Sequence, residues 1–362
     1  MRILIFVKNL DIGGLQRVAI NLANYLAKKH TVDVVLVNRN IINQSEIDPD
    51  ITIHELSRNK LRFNLLSYHR IKKRIKPDVI ISFQTIYNLF ASLEKKIFCS
   101  KIPIIATEHD EFLNKIRNWN IIYRAIFQYS FNEISLIITP SEGLKKEIVN
   151  SNLINDLQVK KIGNPIVNER LLDYEPTGEF DYLENRNVFL ICGGGRLTSN
   201  KNISLLIRAF RNLKTSIPCK LVIFGDGPEK ANLVKLVKKL NLNNHVEFVD
   251  FVYPLYELLH MADIYVHTAK REAFGNVIVE SLALATPIVA IDCDYGPREI
   301  LDAGKYGKLV TESDDQKLAS KIIMTLSEEC VAADLKNRAA EYMISHKCKE
   351  YEEEIDKIYE SN

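Results

Sequence analysis

At 362 residues the chain is long for a single hydrophobic core and natural for two. With 46% hydrophobic and 26% charged residues it has the composition of an ordinary soluble globular protein, and no run approaches the ~20 apolar residues of a membrane span. The net charge of +2 conceals a division: residues 1–170 hold 25 Lys and Arg against 16 Asp and Glu, the remainder 23 against 30, which implies a boundary near 170 and an anionic partner for the first part.

In chain order, residues 3–7 form an apolar run too short for a signal-peptide core and suited to a first buried strand, so a cytoplasmic location is expected. Gly13-Gly14 follows, then a helix with Leu15, Val18, Ala19, Leu22, Ala23 and Leu26 on one face. Strands are expected at 32–37, 79–82, 104–107 and 136–139. Between the first two of these, residues 57–77 carry eight cations (Arg58, Lys60, Arg62, Arg70, Lys72, Lys73, Arg74 and Lys76) and no acid, interleaved with Leu61, Phe63, Leu65, Leu66, Tyr68 and Ile71. That mixture suits an interfacial helix on an anionic leaflet, or a solvated helix whose apolar face is core. It has no recognisable nucleic-acid-binding module. His109 follows the strand at 104–107, where ligand sites of α/β sheets gather; packing at a domain interface is the alternative. A linker is expected at 167–187, around Pro176-Thr177-Gly178.

The second half opens as the first does. A strand at 188–192 leads to Gly193-Gly194-Gly195 and a helix burying Ile203, Leu206, Ile207 and Phe210, the start of a nucleotide-type α/β unit. Arg196 and Lys201 flank this loop, where both reach one diphosphate while helix N–H groups point at it; two solvated cations are the alternative. Continuous apolar runs at 221–224, 246–248, 264–267 and 288–291 fit parallel strands covered on both faces. Glu272 and Glu280 stand eight residues apart across Phe274-Gly275, with Asn276 as the expected N-cap of an apolar helix that Pro287 follows. Glu280 lies among apolar residues, where a carboxylate without a partner is costly; sugar hydroxyls, or a neighbouring element that it caps, would satisfy it. Asp292-Cys293-Asp294 alone makes a poor Mg²⁺ site, and the eight histidines have no ligand spacing, so no metal is expected. The six cysteines are far apart with no C-x-x-C pair and read as reduced thiols.

These segments resemble, in order, the motifs of the retaining glycosyltransferases of family 4. Glu272 to Glu280 is similar to the family's E-x7-E, Asn164-Pro165-Ile166 to its N-P-I/V, and Gly195-Arg196-Leu197 with Lys201-Asn202 to its G-R-L…K-N. Gly225-Asp226-Gly227-Pro228-Glu229 resembles G-x-G-P-E, Ala262-Asp263 the A-D before E-x7-E, and Gly13-Gly14 the family's G-G loop. The resemblance runs from residue 13 to about 300. It implies an α/β GT-B fold of two Rossmann-like domains facing across a cleft: 1–170 for the acceptor, 171–345 for the nucleotide-sugar, and a terminal helix, 346–362, returning to the first.

The implied activity moves a hexose or N-acetylhexosamine from a nucleotide-sugar, first of all a UDP-sugar, to a lipid-linked or oligosaccharide acceptor in surface-polysaccharide synthesis. It retains the anomeric configuration and uses no metal or other cofactor. By the same resemblance Arg196 and Lys201 neutralise the diphosphate, Glu272 meets the transferred sugar, and Glu280 the ribose. Backbone amides of Phe274, Gly275, Asn276 and Val277 hold sugar and phosphate, the Gly13-Gly14 backbone closes on the diphosphate, and His109 lies near the reacting sugar. Ala273, where the family often has Gly, narrows the expected sugar pocket, and Gly296-Pro297-Arg298-Glu299-Ile300 is similar to a subset that builds bacterial surface polysaccharides. The expected setting is peripheral, at the inner face of the cell membrane through residues 57–77, with no nucleic acid involved. A UDP-sugar epimerase of GT-B fold and a non-catalytic sugar-nucleotide-binding subunit stay open as alternatives. Neither glycine loop reads G-x-G-x-x-G and no G-K-[ST] occurs, which sets aside dinucleotide and P-loop enzymes.

Overall fold

The computed structural model describes residues 1–11, 13–38, 41, 44–57, 60–109, 112–151, 158–178, 180, 187–250, 254–311 and 313–361. Arg58, Asp110 and residues 179 and 181–186 of the expected linker lie outside them. The chain divides into two units, Met1–Ile166 with Met343–Asn362, and Val167–Tyr342.

The apolar runs become strands that can satisfy their backbone only by pairing, and each is followed by a helix, so pairing is parallel. Unit 1 contains β1 (Arg2–Val7), β2 (Thr31–Leu36), β3 (Thr52–Glu55), β4 (Val79–Phe83), β5 (Ile104–Thr107), β6 (Leu136–Thr139) and β7 (Gln158–Lys161), ordered β3-β2-β1-β4-β5-β6-β7. Unit 2 contains β8 (Phe189–Gly194), β9 (Cys219–Phe224), β10 (Val246–Val249), β11 (Ile264–His267), β12 (Ile288–Ile291) and β13 (Lys308–Val310), ordered β10-β9-β8-β11-β12-β13. Each unit is a Rossmann-like α/β sheet, as expected. In both, strand order reverses beside the first strand, at β1/β4 and β8/β11. Such switch points leave a crevice at the carboxyl ends of the strands.

Seven helices bear on function: α1 (Gly14–Ala27), α2 (Leu65–Ile75), α3 (Thr85–Ile97), α4 (Ile121–Ser130), α5 (Ile203–Lys214), α6 (Asn276–Ala283) and α7 (Ile344–Glu360). α1 buries Val18, Ala19, Ile20, Leu22, Ala23 and Leu26, the face its spacing marks. Asn21 on its flank donates Nδ2 to the Pro165 carbonyl at 2.8 Å, tying the N-P-I segment to the helix behind the G-G loop. α7 packs on α1: Lys29 Nζ donates to Glu352 at 3.0 Å and Tyr25 OH at 3.3 Å.

The basic stretch is not uniformly solvated. Tyr68, Lys72 and Ile75 form the buried face of α2, and Lys72 Nζ is paired with the buried Glu94 of α3. His69 Nδ1 lies 2.6 Å from the same carboxylate. A fully buried carboxylate requires such partners, and they come from a helix whose sequence reads as cationic surface. Phe63 and Leu66 are exposed instead, beside exposed Arg62, Arg70, Lys73 and Arg74. No described helix is long and apolar enough to cross a membrane. All six cysteines are free, with Cys99 and Cys330 exposed.

Candidate functional site

The site in unit 2 is built at the switch point from the loops after β8 and β11. The β8 loop is braced from behind by Gly225-Asp226-Gly227: Gly195 N donates to Phe224 O at 3.0 Å, Leu197 N to Asp226 O at 2.8 Å, and Glu229 N to Leu197 O at 3.0 Å. Gly225 has φ 105°, and a Cβ there would stand 2.1 Å from the Gly195 carbonyl oxygen, so the brace requires glycine. The β11 loop is stitched to the same segment: Thr268 Oγ1 donates to Lys201 O at 2.8 Å, Lys270 N to Asn200 O at 2.8 Å, and Asn200 Nδ2 to Arg271 O at 2.9 Å.

This stitching brings Lys201 Nζ onto Glu272 Oε2. His267 is buried at the end of β11, its Nε2 3.5 Å from Glu272 Oε2 and its Nδ1 3.1 Å from Tyr265 OH. Burial works against the Glu272 charge, but the Lys201 ammonium and the His267 ring outweigh it and hold the carboxyl at about 2. Burial pushes His267 down from its ordinary value, leaving a neutral ring at pH 7. Arg196 is exposed on the same loop, and among the described residues nothing takes its guanidinium. One cation of the predicted pair is therefore engaged and the other open.

The sequence places the N-cap of α6 at Asn276; in the structure the cap is Gly275, with φ 110°, and Asn276 is the first helical residue. The sharp turn after Phe274 needs a left-handed residue, which displaces the polar cap by one position. Phe274 is buried against Tyr342, ring centroids 5.4 Å apart. Glu280 is buried on the second turn of α6. Burial, then the charge of Glu272 and in lesser part that of Glu280, push the Tyr265 hydroxyl well up. Asp292 is held by Arg298, whose Nε donates at 3.0 Å, and no cluster of three or more metal-ligating side chains exists among the described residues.

The remaining candidates belong to unit 1, at the carboxyl ends of its strands. Gly13 caps α1 with extended backbone, φ 164°, and the atoms nearest a Cβ there belong to the flexible Gln16 side chain. The fold itself does not require glycine at that position. His109 follows β5 and stacks on Phe83, centroids 5.9 Å apart at 12°. Glu108, not singled out by the sequence, is fully buried and accepts from Thr85 Oγ1 and Asn88 Nδ2, each at 2.7 Å. His267 was missed as well. Its signal was a titratable residue closing the apolar run 264–267, at a strand's carboxyl end.

Residues 12–170 match Glycosyltransferase Family 4, and residues 178–343 match Glycosyl transferases group 1. An uncharacterized glycosyltransferase of Methanocaldococcus jannaschii is 30% identical over 71% of this chain and 68% of its own. The chain belongs to glycosyltransferase family 4. Within the family it is 28% identical, over 92% of its length and 93% of the relative's, to the N-acetylgalactosamine-N,N'-diacetylbacillosaminyl-diphospho-undecaprenol 4-alpha-N-acetylgalactosaminyltransferase of Campylobacter jejuni. Anabaena HepE, solved with UDP and glucose, superposes with a TM-score of 0.83 at 18% identity, covering 99% of this chain and 100% of HepE. This family-4 glycosyltransferase therefore has GT-B neighbours, and the motifs quoted above lie in the segments that match the family.

Proposed function

We propose that this glycosyltransferase transfers a hexose or N-acetylhexosamine from a UDP-sugar to a lipid-linked saccharide, with retention of configuration and without a metal ion. The observation that carries the reading is the Lys201–Glu272 pair beside the open Arg196, at the loop leading into α5. Two cations and helix N–H groups at one loop suit a departing diphosphate. Lys201 exchanges its Glu272 partner for the diphosphate when donor binds, and the released Glu272 carboxylate accepts from the sugar hydroxyls. Glu280 takes the ribose hydroxyls, and backbone N–H groups of Phe274, Gly275, Asn276 and Val277 hold sugar and phosphate.

In the reaction the acceptor hydroxyl attacks the anomeric carbon from the face that UDP leaves. The acceptor C–O bond forms as the bond to the diphosphate breaks, and a diphosphate oxygen takes the acceptor proton. No enzymic nucleophile is required; the protein positions the reactants and stabilises developing charge. UDP in HepE supports the donor class, and the diphospho-undecaprenol in the name of the Campylobacter relative supports the acceptor class. Asp292, engaged by Arg298, supports a site that works without a divalent ion. His109 and the Gly13-Gly14 loop keep their proposed roles on resemblance alone. The exposed cations and apolar side chains of 60–74 support a peripheral position on an anionic leaflet.

The test is sugar transfer from a panel of UDP-sugars to prenyl-diphosphate-linked acceptors in EDTA. Release of UDP only with acceptor present is expected. Transfer abolished by EDTA and restored by Mg²⁺ removes the metal-free claim, and release of free sugar isomers without acceptor favours an epimerase.

A further inference from the structure

A cavity of about 560 Å³ lies within unit 1, between α2, α3 and α4 and the residues just before α2. Leu65, Leu89, Phe90, Leu93 and Ile126 wall it, Tyr123 stands on its rim, and the exposed Lys60 and Arg62 line its mouth. Its volume is that of a small-molecule site.

We propose that this cavity is a binding site for the hydrocarbon chain of a prenyl diphosphate, with Lys60 and Arg62 on the diphosphate; the inference rests on the lipid-linked acceptor reading above. Three observations select this occupant. The walls offer almost no polar side chains, so a peptide entering would leave backbone groups without partners, whereas a prenyl chain has none to satisfy. The lining segments 60–75, 85–97 and 121–130 contain nine Lys and Arg and one acid, and that acid, Glu94, is consumed by Lys72 and His69. The field at the mouth is therefore positive and suits an anionic head joined to an apolar tail. Finally, the first turn of α4 beside the rim exposes Ile121 at 83% and Ile122 at 65%, and Leu66 on α2 is 60% exposed. Exposed apolar groups around an apolar cavity mark an interaction surface, and here they continue the path of a chain too long for the cavity.

The experiment uses the full-length chain and its one tryptophan. Trp119 lies 5.9 Å from the Tyr123 ring and reports on the rim. Farnesyl diphosphate, farnesol and inorganic pyrophosphate are titrated separately while Trp119 emission is followed, and the melting shift caused by UDP is measured on every sample. Saturable change with farnesyl diphosphate, at least tenfold weaker with either fragment, is expected. Ile126→Glu should abolish it, as should Tyr123→Glu, whose surface position keeps folding safe if the first variant is unstable; Tyr129→Ser, exposed on the same helix, should leave it intact. A response only above the micellar concentration and unchanged by the wall variants overturns the site in favour of surface partition. UDP stabilisation without any farnesyl response overturns the site and leaves the transferase reading standing. A farnesyl response without UDP stabilisation keeps the site and removes the UDP donor.

Discussion

Two lysine–glutamate pairs, one from each unit, share their residue types and differ in surroundings, which separates a structural role from a reactive one. Lys72 and Glu94 have side-chain exposures of 4% and 0%, with His69 on the same carboxylate. Lys201 and Glu272 have exposures of 25% and 19%, stand at strand carboxyl ends, and have an open arginine beside them. The first pair can break only by leaving a charge in a dry environment. The second can exchange partners with an incoming anion at little desolvation cost. The same residue types therefore pin a helix in unit 1 and, as proposed, hold a leaving group in unit 2.

Breaking the first pair has the largest expected effect. Glu94→Ala strands Lys72 and should destabilise by roughly 3–5 kcal/mol, seen in chemical denaturation, while Glu94→Gln with Lys72→Met should recover most of the loss. In unit 2, Lys201→Ala or Arg196→Ala should lower kcat by about 10²–10³, the scale of losing one charge-stabilising donor, and Arg196→Ala should leave the melting temperature almost unmoved. An equal loss of stability in both units would dissolve the distinction. Glu280→Ala should weaken UDP binding by about tenfold, worth ~1.4 kcal/mol, with a smaller effect on turnover; unchanged UDP affinity by calorimetry contradicts its ribose role.

The smallest effect is electrostatic. Because the Glu272 carboxyl is held at about 2, below the ordinary ~4.3 of an unfolded chain, its contribution is fully present above that value and is lost as pH falls toward 2. The difference in melting temperature between wild type and Glu272→Gln should shrink across that window. A constant difference removes the assigned charge.

How much of this was legible in the sequence depended on where each residue's partner lies. The central strands were readable because both faces are buried and their apolar runs are continuous. β3, β7 and β13 were not: Thr-Ile-His-Glu, Gln-Val-Lys-Lys and Lys-Leu-Val are edge strands with few apolar positions, defined by the neighbour they pair with. Lys72 read as a surface cation because Glu94, 22 residues onward, lies on another helix. Likewise Glu272 was visible by its spacing, whereas His267 became informative only once Tyr265 and Glu272 flanked it. The Gly225 loop was legible only as a match to a family pattern; its support of the β8 loop's backbone depends on a contact between two loops.

The most direct measurement is calorimetric UDP binding in EDTA to wild type, Lys201→Ala and Glu272→Gln. Saturable metal-free binding by wild type, at least tenfold weaker binding by Lys201→Ala, and undiminished binding by Glu272→Gln, whose lysine is already released, are the expected results. Binding that requires a divalent ion, or that is indifferent to Lys201, would contradict the partner exchange on which the proposed mechanism rests.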